Sequence, residues 1–91
     1  MYAKIVTESG QEKKILPANG EKFTLEELQK AVGGYIEIVT LTDKTLMVLD
    51  EEGKLKGKKM NLYATGLFRR LKQVQDYIVG DVMIVPSKMI D

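Results

Sequence analysis

The sequence predicts an α+β fold: a mainly antiparallel sheet with two helices, in the order β-β-α-β-β-α-β(β). Three observations predict it. Short β-rich segments alternate with turn residues, one segment carries a complete helix-start signature, and another repeats apolar residues at helical spacing. The 91 residues are a usual size for one domain, so residues 1–91 are expected to form a single domain with both helices on one face of the sheet.

The first two strands form a predicted antiparallel pair. Residues 2–7 end in three β-branched side chains, which favour a strand. Residues 8–11 have turn composition, and residues 12–16 are predicted to run back beside the first strand until Pro17 closes the segment.

The first helix has the clearest signal in the chain. Thr24 and Glu27 match the capping box, in which each side chain bonds the other residue's backbone amide. Gly33-Gly34 supplies residues that can adopt the left-handed conformation that ends a helix. The spacing therefore predicts a helix over Leu25–Val32. Its apolar face consists of Leu25, Leu28, Ala31 and Val32.

The middle of the chain predicts a second hairpin. Residues 35–41 and 45–49 are β-rich and are separated by Thr42-Asp43-Lys44, a short polar connection. Residues 45–49 are apolar on both pleat faces, so they are expected to form an interior strand of a covered sheet. The acidic residues that follow, Asp50, Glu51 and Glu52, are interpreted as turn formers.

The second helix is predicted from apolar residues spaced by three and four, with Asn61 as its N-cap. These residues are Met60, Ala64, Leu67, Phe68, Leu71 and Val74. Gly66 interrupts the pattern at a cost of about 1 kcal/mol relative to Ala. Beyond it, residues 76–79 and 82–85 flank Gly80-Asp81, which predicts either a hairpin or one strand with a bulge.

The composition excludes several classes of function. The chain has neither Cys nor His, so it has no thiolate nucleophile, no Cys or His metal site and no His-dependent acid–base pair. We therefore expect no enzyme activity, no metal and no cofactor. The N-terminus lacks the apolar core of a signal peptide, and no apolar run approaches the roughly 20 residues of a spanning helix. We expect a cytoplasmic protein with no membrane association.

The charge is divided unevenly along the chain. The net charge is +1, but residues 1–53 hold 6 Lys and 10 acidic residues, whereas residues 54–91 hold 8 basic residues and 3 Asp. Residues 54–72 hold seven cations and no acid: Lys54, Lys56, Lys58, Lys59, Arg69, Arg70 and Lys72. Such a cluster could bind nucleic acid, with Tyr63 or Phe68 stacking on a base, or an acidic protein surface, or it could be a solvated face.

Four stretches together resemble a known family. They are residues 31–37, residues 48–54, Asn61 with Ala64-Thr65, and residues 76–82. In this order and spacing they resemble an uncharacterised family of small proteins, a domain of unknown function, over roughly residues 24–85. The resemblance implies a cytoplasmic accessory protein of a phage, plasmid or gut-bacterial mobile element, or of its bacterial host. It implies no catalytic residue.

The leading functional hypothesis is a non-enzymatic interaction module with a protein partner or a homo-oligomeric state. A nucleic-acid-binding accessory protein that uses residues 54–72 is the first alternative. A binder of a small nucleotide ligand, held by the same cations, is the second.

Overall fold

The computed structural model describes residues 2–90 and confirms the α+β prediction, with five strands and two helices in the expected order. The elements are β1 (Ala3–Val6), β2 (Glu12–Ile15), α1 (Leu25–Val32), β3 (Ile36–Thr40), β4 (Thr45–Asp50), α2 (Leu62–Lys72) and β5 (Val82–Pro86). A short 3-10 turn, Ser87–Met89, follows β5.

All neighbouring strands are antiparallel, in the order β2-β1-β5-β4-β3. β5, which comes last along the chain, occupies the centre of the sheet and pairs with both β1 and β4. β4 is an interior strand, as its apolar pattern predicts, and Met47 and Val48 are fully buried. β2 and β3 are the two edge strands.

The two helices pack on opposite faces of the sheet, so the expectation that both cover one face is wrong. Val48 and Met83 are cross-strand partners, and both lie in the core cluster that contains Leu28 of α1. Met47 is offset by one residue and lies in the second cluster with Ala64 of α2. Because successive side chains of a strand point to opposite faces, β4 and β5 need a helix on each side.

α1 has the bounds that its local signals predict. Thr24 accepts a hydrogen bond from the Glu27 amide, the Glu27 carboxylate accepts one from the Thr24 amide, and Gly33 ends the helix with φ 82°. The same carboxylate accepts from the Ala18 amide, which joins the helix start to the preceding loop. These hydrogen bonds lower the pKa of Glu27.

α2 begins at its predicted N-cap, because the Asn61 side chain accepts a hydrogen bond from the Ala64 amide. The helix continues through Gly66 without a break and ends at Gln73, which has φ 55°. The apolar spacing therefore predicted the helix correctly, including across its glycine.

Residues 76–79 do not form the strand that their β-rich composition predicts, and Gly80-Asp81 is neither a hairpin turn nor a bulge. Only Val79 pairs, in a single bridge with Met60. The backbone of Ile78 instead bonds to residues of α2 and its N-cap, as described below. A segment whose polar groups are satisfied in this way has no need of a sheet partner.

Candidate functional site

The seven basic residues predicted as a binding surface divide between the loop 51–59 and α2. In the loop, the ammonium groups of Lys54, Lys56 and Lys58 each donate hydrogen bonds to acceptors within the protein. Lys54 Nζ lies 2.6 Å from Asp76 Oδ1 and over the Tyr77 ring. The other two ammonium groups meet a buried carboxylate, so most of the loop's positive charge serves the fold.

The centre of this arrangement is Asp50, the last residue of β4, which is 3% exposed. Its Oδ2 lies 2.7 Å from Lys56 Nζ and 2.8 Å from Lys58 Nζ. Its Oδ1 accepts a hydrogen bond from the Glu52 amide at 2.8 Å. The turn interpretation of Asp50 is therefore correct for Oδ1, but Oδ2 forms an ion triad with two lysines that sequence reasoning missed.

Burial alone would raise the pKa of Asp50, since it disfavours the charged form. The hydrogen bonds from Lys56, Lys58 and the Glu52 amide outweigh that effect and lower the pKa to about 2. The same bond to Asp50 raises the pKa of Lys56. Asp50 and Lys56 are thus both charged throughout the physiological range.

The triad also completes the end of α1. Lys58 Nζ donates to the Val32 carbonyl at 2.7 Å, and Lys56 Nζ donates to the Gly33 carbonyl at 3.3 Å. The last carbonyls of a helix lack partners within the helix and carry partial negative charge. The two lysines therefore connect the C-terminus of α1 to the end of β4.

Gly34 and Gly80 lie directly against the triad, where a larger residue would overlap its side chains. A methyl group at Gly34 would lie 2.5 Å from Lys56 Nζ and 2.8 and 2.9 Å from the Asp50 carboxylate oxygens. A methyl group at Gly80 would lie 2.7 Å from Lys58 Cδ, and the backbone there has φ 78°. Only glycine fits these positions without displacing the triad.

A second polar cluster holds residues 78–80 against α2. The Asn61 side chain is fully buried and donates to the carbonyls of Val6 (3.0 Å) and Gly80 (2.9 Å). Thr65 Oγ1 donates to the Ile78 carbonyl at 3.1 Å and accepts from the Ile78 amide at 2.9 Å. One helix turn thus binds both β1 and the segment before β5.

Of the remaining four cations, Lys59 belongs to the loop and Arg69, Arg70 and Lys72 belong to α2. Arg69 Nε donates to the Asp76 carbonyl at 2.9 Å. The side chains of Lys59, Arg70 and Lys72 form no hydrogen bond or ion pair with any other residue of the range 2–90. Of the seven predicted residues, three therefore have side chains without a partner among residues 2–90, two of them on α2.

A groove of about 510 Å³ lies beside the loop and contains cations of both α1 and the loop, among them Lys30, Lys58 and Lys59. Two carboxylate residues, Glu8 and Asp81, line it as well, together with the C-terminus of α1. Carboxylates and the negative end of a helix both repel phosphate, so the groove does not favour a nucleotide.

The outward side of α2 exposes apolar side chains. Residues spaced by three and four lie side by side on a helix. We call the set Tyr63, Gly66, Leu67, Arg70 and Leu71 the α2 surface. Tyr63 and Leu71 are about two-fifths exposed, at 42% and 40%, whereas Leu67 is half-buried at the rim of this surface and packs against the core cluster that contains Ala64. A methyl group at Gly66 would have no atom within 4 Å.

Within residues 2–90, no three acidic side chains lie close enough together to hold a metal ion. In the same range, every buried side-chain nitrogen or oxygen has a hydrogen-bond partner. None of the helices described has the length and apolar character needed to cross a membrane.

The fold and these clusters define a small three-layer α+β protein in which buried polar side chains fix loops and helix ends. The chain belongs to the DUF3846 family, a domain of unknown function, whose family model matches residues 4–89. The resemblance expected from the sequence is confirmed at this level. No curated protein and no solved structure matches the chain.

Five of the residues that carried the family resemblance lie in or against the two polar clusters. Asp50 belongs to the triad and Gly34 lies against it, whereas Asn61, Thr65 and Gly80 belong to the cluster around residues 78–80. All of them stabilise the fold, and none faces open solvent with a reactive group. We infer that the recognisable motif encodes the architecture, and that binding residues are to be sought elsewhere on the surface.

Proposed function

We propose that the protein is a non-enzymatic interaction module that binds an acidic protein partner through the α2 surface. The resemblance of the sequence further supports a cytoplasmic accessory protein of a phage, a mobile element or its bacterial host. The observation that carries the proposal is Gly66, a glycine on an exposed apolar helix face that no internal contact requires.

Gly66 lowers the stability of α2, because glycine in a helix interior costs about 1 kcal/mol relative to Ala. Gly34 and Gly80 are explained by atoms that a methyl group would strike, but Gly66 faces open space. A missing side chain lets another backbone approach closely. Close packing of a partner's backbone against α2 at this point explains why the position is a glycine.

Charge favours an acidic partner. α2 contains three basic residues in its last turn and no acidic residue in its first turn. Arg70 lies on the α2 surface, three residues after Leu67 and four after Gly66, and has no partner among the described residues. An apolar face flanked by an unpaired guanidinium fits an apolar segment that carries Asp or Glu, with which Arg can form bidentate hydrogen bonds.

The sharpest test is Gly66→Ala, which should change stability and binding in opposite directions. The substitution should stabilise the fold by about 1 kcal/mol, measured by urea unfolding. It should weaken capture of the partner from a lysate of the source bacterium, measured by quantitative mass spectrometry of a pull-down. Capture equal to wild type would remove the observation on which the proposal rests.

A charge reversal tests the electrostatic part. Arg70→Glu should abolish capture of the same partner, whereas Lys44→Glu, a matched reversal in the exposed turn between β3 and β4, should leave it unchanged. If both variants capture the partner like wild type, or both lose it equally, the α2 surface is not the binding site.

Nucleic acid is the second candidate, favoured by the unpaired side chains of Lys59, Arg70 and Lys72. The ion pairs of Lys54, Lys56 and Lys58 weigh against it. A lysine that is already paired with a carboxylate is less able to neutralise a phosphate and displace the counterions of the nucleic acid. A mobility shift of DNA or RNA at about 50 mM salt that weakens steeply with added salt would support this candidate. The absence of any shift would refute it. Thermal-shift measurements with nucleotides test the third alternative, a small nucleotide ligand.

A further inference from the structure

The two edges of the sheet differ in how they are protected. β2, at one edge, has three charged residues among its four, and charged side chains on an edge strand discourage pairing with another chain. β3, at the other edge, has the sequence IEIVT, with Glu37 as its one charged residue. The β3 edge therefore lacks the usual protection.

The backbone of β3 offers unpaired hydrogen-bonding groups along that edge. Flanking the strand, the Tyr35 carbonyl accepts from the Glu51 amide and the Leu41 amide donates to the Thr45 carbonyl, both at 2.9 Å. In an antiparallel ladder, bonded and non-bonded residues alternate. The N–H and C=O groups at positions 36, 38 and 40 consequently point away from β4, toward the open edge.

The side chains at those three positions lie on the α1 face of the sheet, and α1 does not cover them completely. α1 packs mainly over β4 and β5. A groove of about 370 Å³ separates it from β3 and is lined by Leu25, Leu28, Ile36 and Ile38 among others. Ile38 is 43% exposed. An apolar face thus lies directly beside the open edge.

We propose that a second copy of the chain pairs with this edge, β3 against β3, to form one continuous ten-strand antiparallel sheet about a two-fold axis at Ile38 (5 strands from each copy). In this register Ile38 lies opposite its own copy, Ile36 opposite Thr40, and Glu37 opposite Val39. Each of the outward-facing pairs can exchange two backbone hydrogen bonds. This surface is separate from the α2 surface and does not depend on the proposed function.

The sequence of β3 fits its own copy best in the register about Ile38. A shift that places Ile36 opposite Ile38 would bring two Glu37 side chains face to face, which is destabilising. The register about Ile38 pairs all five residues of β3 and places no like charges opposite each other. Isologous contacts of this kind, in which one surface meets its own copy, are the rule in homodimers.

The mass of the chain in solution tests the proposal. Sedimentation of the wild-type chain should give twice the chain mass of 10.3 kDa at high micromolar concentration. Ile38→Lys places two ammonium groups opposite each other and should halve that mass without loss of circular dichroism, since the side chain is 43% exposed and the lysine ammonium group can reach water. Leu16→Lys, the same kind of change beside the other edge, should leave the mass doubled.

Cysteine cross-linking tests the register, because the natural chain contains no Cys. Glu37→Cys and Val39→Cys place thiols on opposing residues of a non-hydrogen-bonded pair, whose Cα atoms lie about 4.5 Å apart, within disulfide range. Each variant alone sets its own copies about 7 Å apart along the strand. An oxidised mixture of the two variants should therefore cross-link, whereas either variant alone should not.

A monomeric wild-type chain at all accessible concentrations would overturn the proposal. So would a dimer that survives Ile38→Lys, since it would use another surface. A dimer in which either cysteine variant cross-links alone as readily as the mixture would contradict the register about Ile38.

Discussion

Replacing Asp50 with Asn removes the negative charge of the buried triad and leaves the size of the side chain unchanged. Lys56 and Lys58 then face each other without their counterion. Removing one partner of a buried ion pair costs about 3–5 kcal/mol. The lysine side chains are 40% and 23% exposed and can turn toward water. We therefore expect a loss of about 2–3 kcal/mol at pH 7, at or below the low end of that range.

The pH dependence follows from the lowered pKa of Asp50. A carboxylate with a folded-state pKa of about 2 and an ordinary pKa of 3.8 stabilises the fold above the ordinary value. That contribution falls as the pH drops through the folded-state value. The gap corresponds to about 2 kcal/mol, which water around the lysines reduces. The stability difference between wild type and Asp50→Asn should accordingly shrink between pH 5 and pH 2.

Urea unfolding followed by circular dichroism measures both quantities, with Asp76→Asn as the matched control. Asp76 pairs with Lys54 at 2.6 Å, but both side chains are about half exposed, so this change should cost far less stability than Asp50→Asn. If Asp50→Asn is as stable as wild type at pH 7, the triad does not stabilise the fold. If the difference persists undiminished at pH 2, the charge of Asp50 is not its source.

The other predictions concern the glycine beside the triad and the cluster around residues 78–80. Gly34→Ala should destabilise by about 1–3 kcal/mol through overpacking, and less so when combined with Asp50→Asn, because the two changes disrupt the same contact. Additive urea-unfolding energies would contradict the coupling. Asn61→Ala should cost about 3 kcal/mol, since it removes an N-cap and two buried hydrogen bonds to the carbonyls of Val6 and Gly80. A loss below 1 kcal/mol would show that water replaces the amide. Thr65→Val should cost about 1–3 kcal/mol and speed hydrogen exchange of the Ile78 amide; unchanged exchange would refute that role.

The sequence predicts best where the determining contacts are local. The bounds of α1 are correct because Thr24, Glu27 and Gly33 act within one or two helix turns. The apolar pattern of residues 45–49 also indicates that α1 and α2 cover opposite faces of the sheet. A strand that is apolar on both faces needs cover on both, as Val48 and Met47 show by packing in different clusters.

The failures occur where a partner is distant in sequence. Residues 76–79 have strand composition, but Thr65 binds both backbone groups of Ile78 from across 13 positions. The sequence shows the lysine cluster as a run of basic residues. It does not show that Lys56 and Lys58 pair with Asp50, because the end of β4 and the loop 51–59 bring the three side chains together only in the folded chain. The signal that could have revealed it is an Asp at the end of a buried strand, where an acid needs a counterion.

The central position of β5 has a consequence for synthesis. β1 and β4 lie on either side of β5 and do not pair with each other, so residues 1–81 cannot form the continuous sheet. A chain growing on the ribosome must present both core clusters without their shared strand until Val82–Pro86 has emerged from the exit tunnel. The sheet should therefore be completed only after β5 has emerged, and nascent chains stalled before β5 should be substrates for chaperones and proteases.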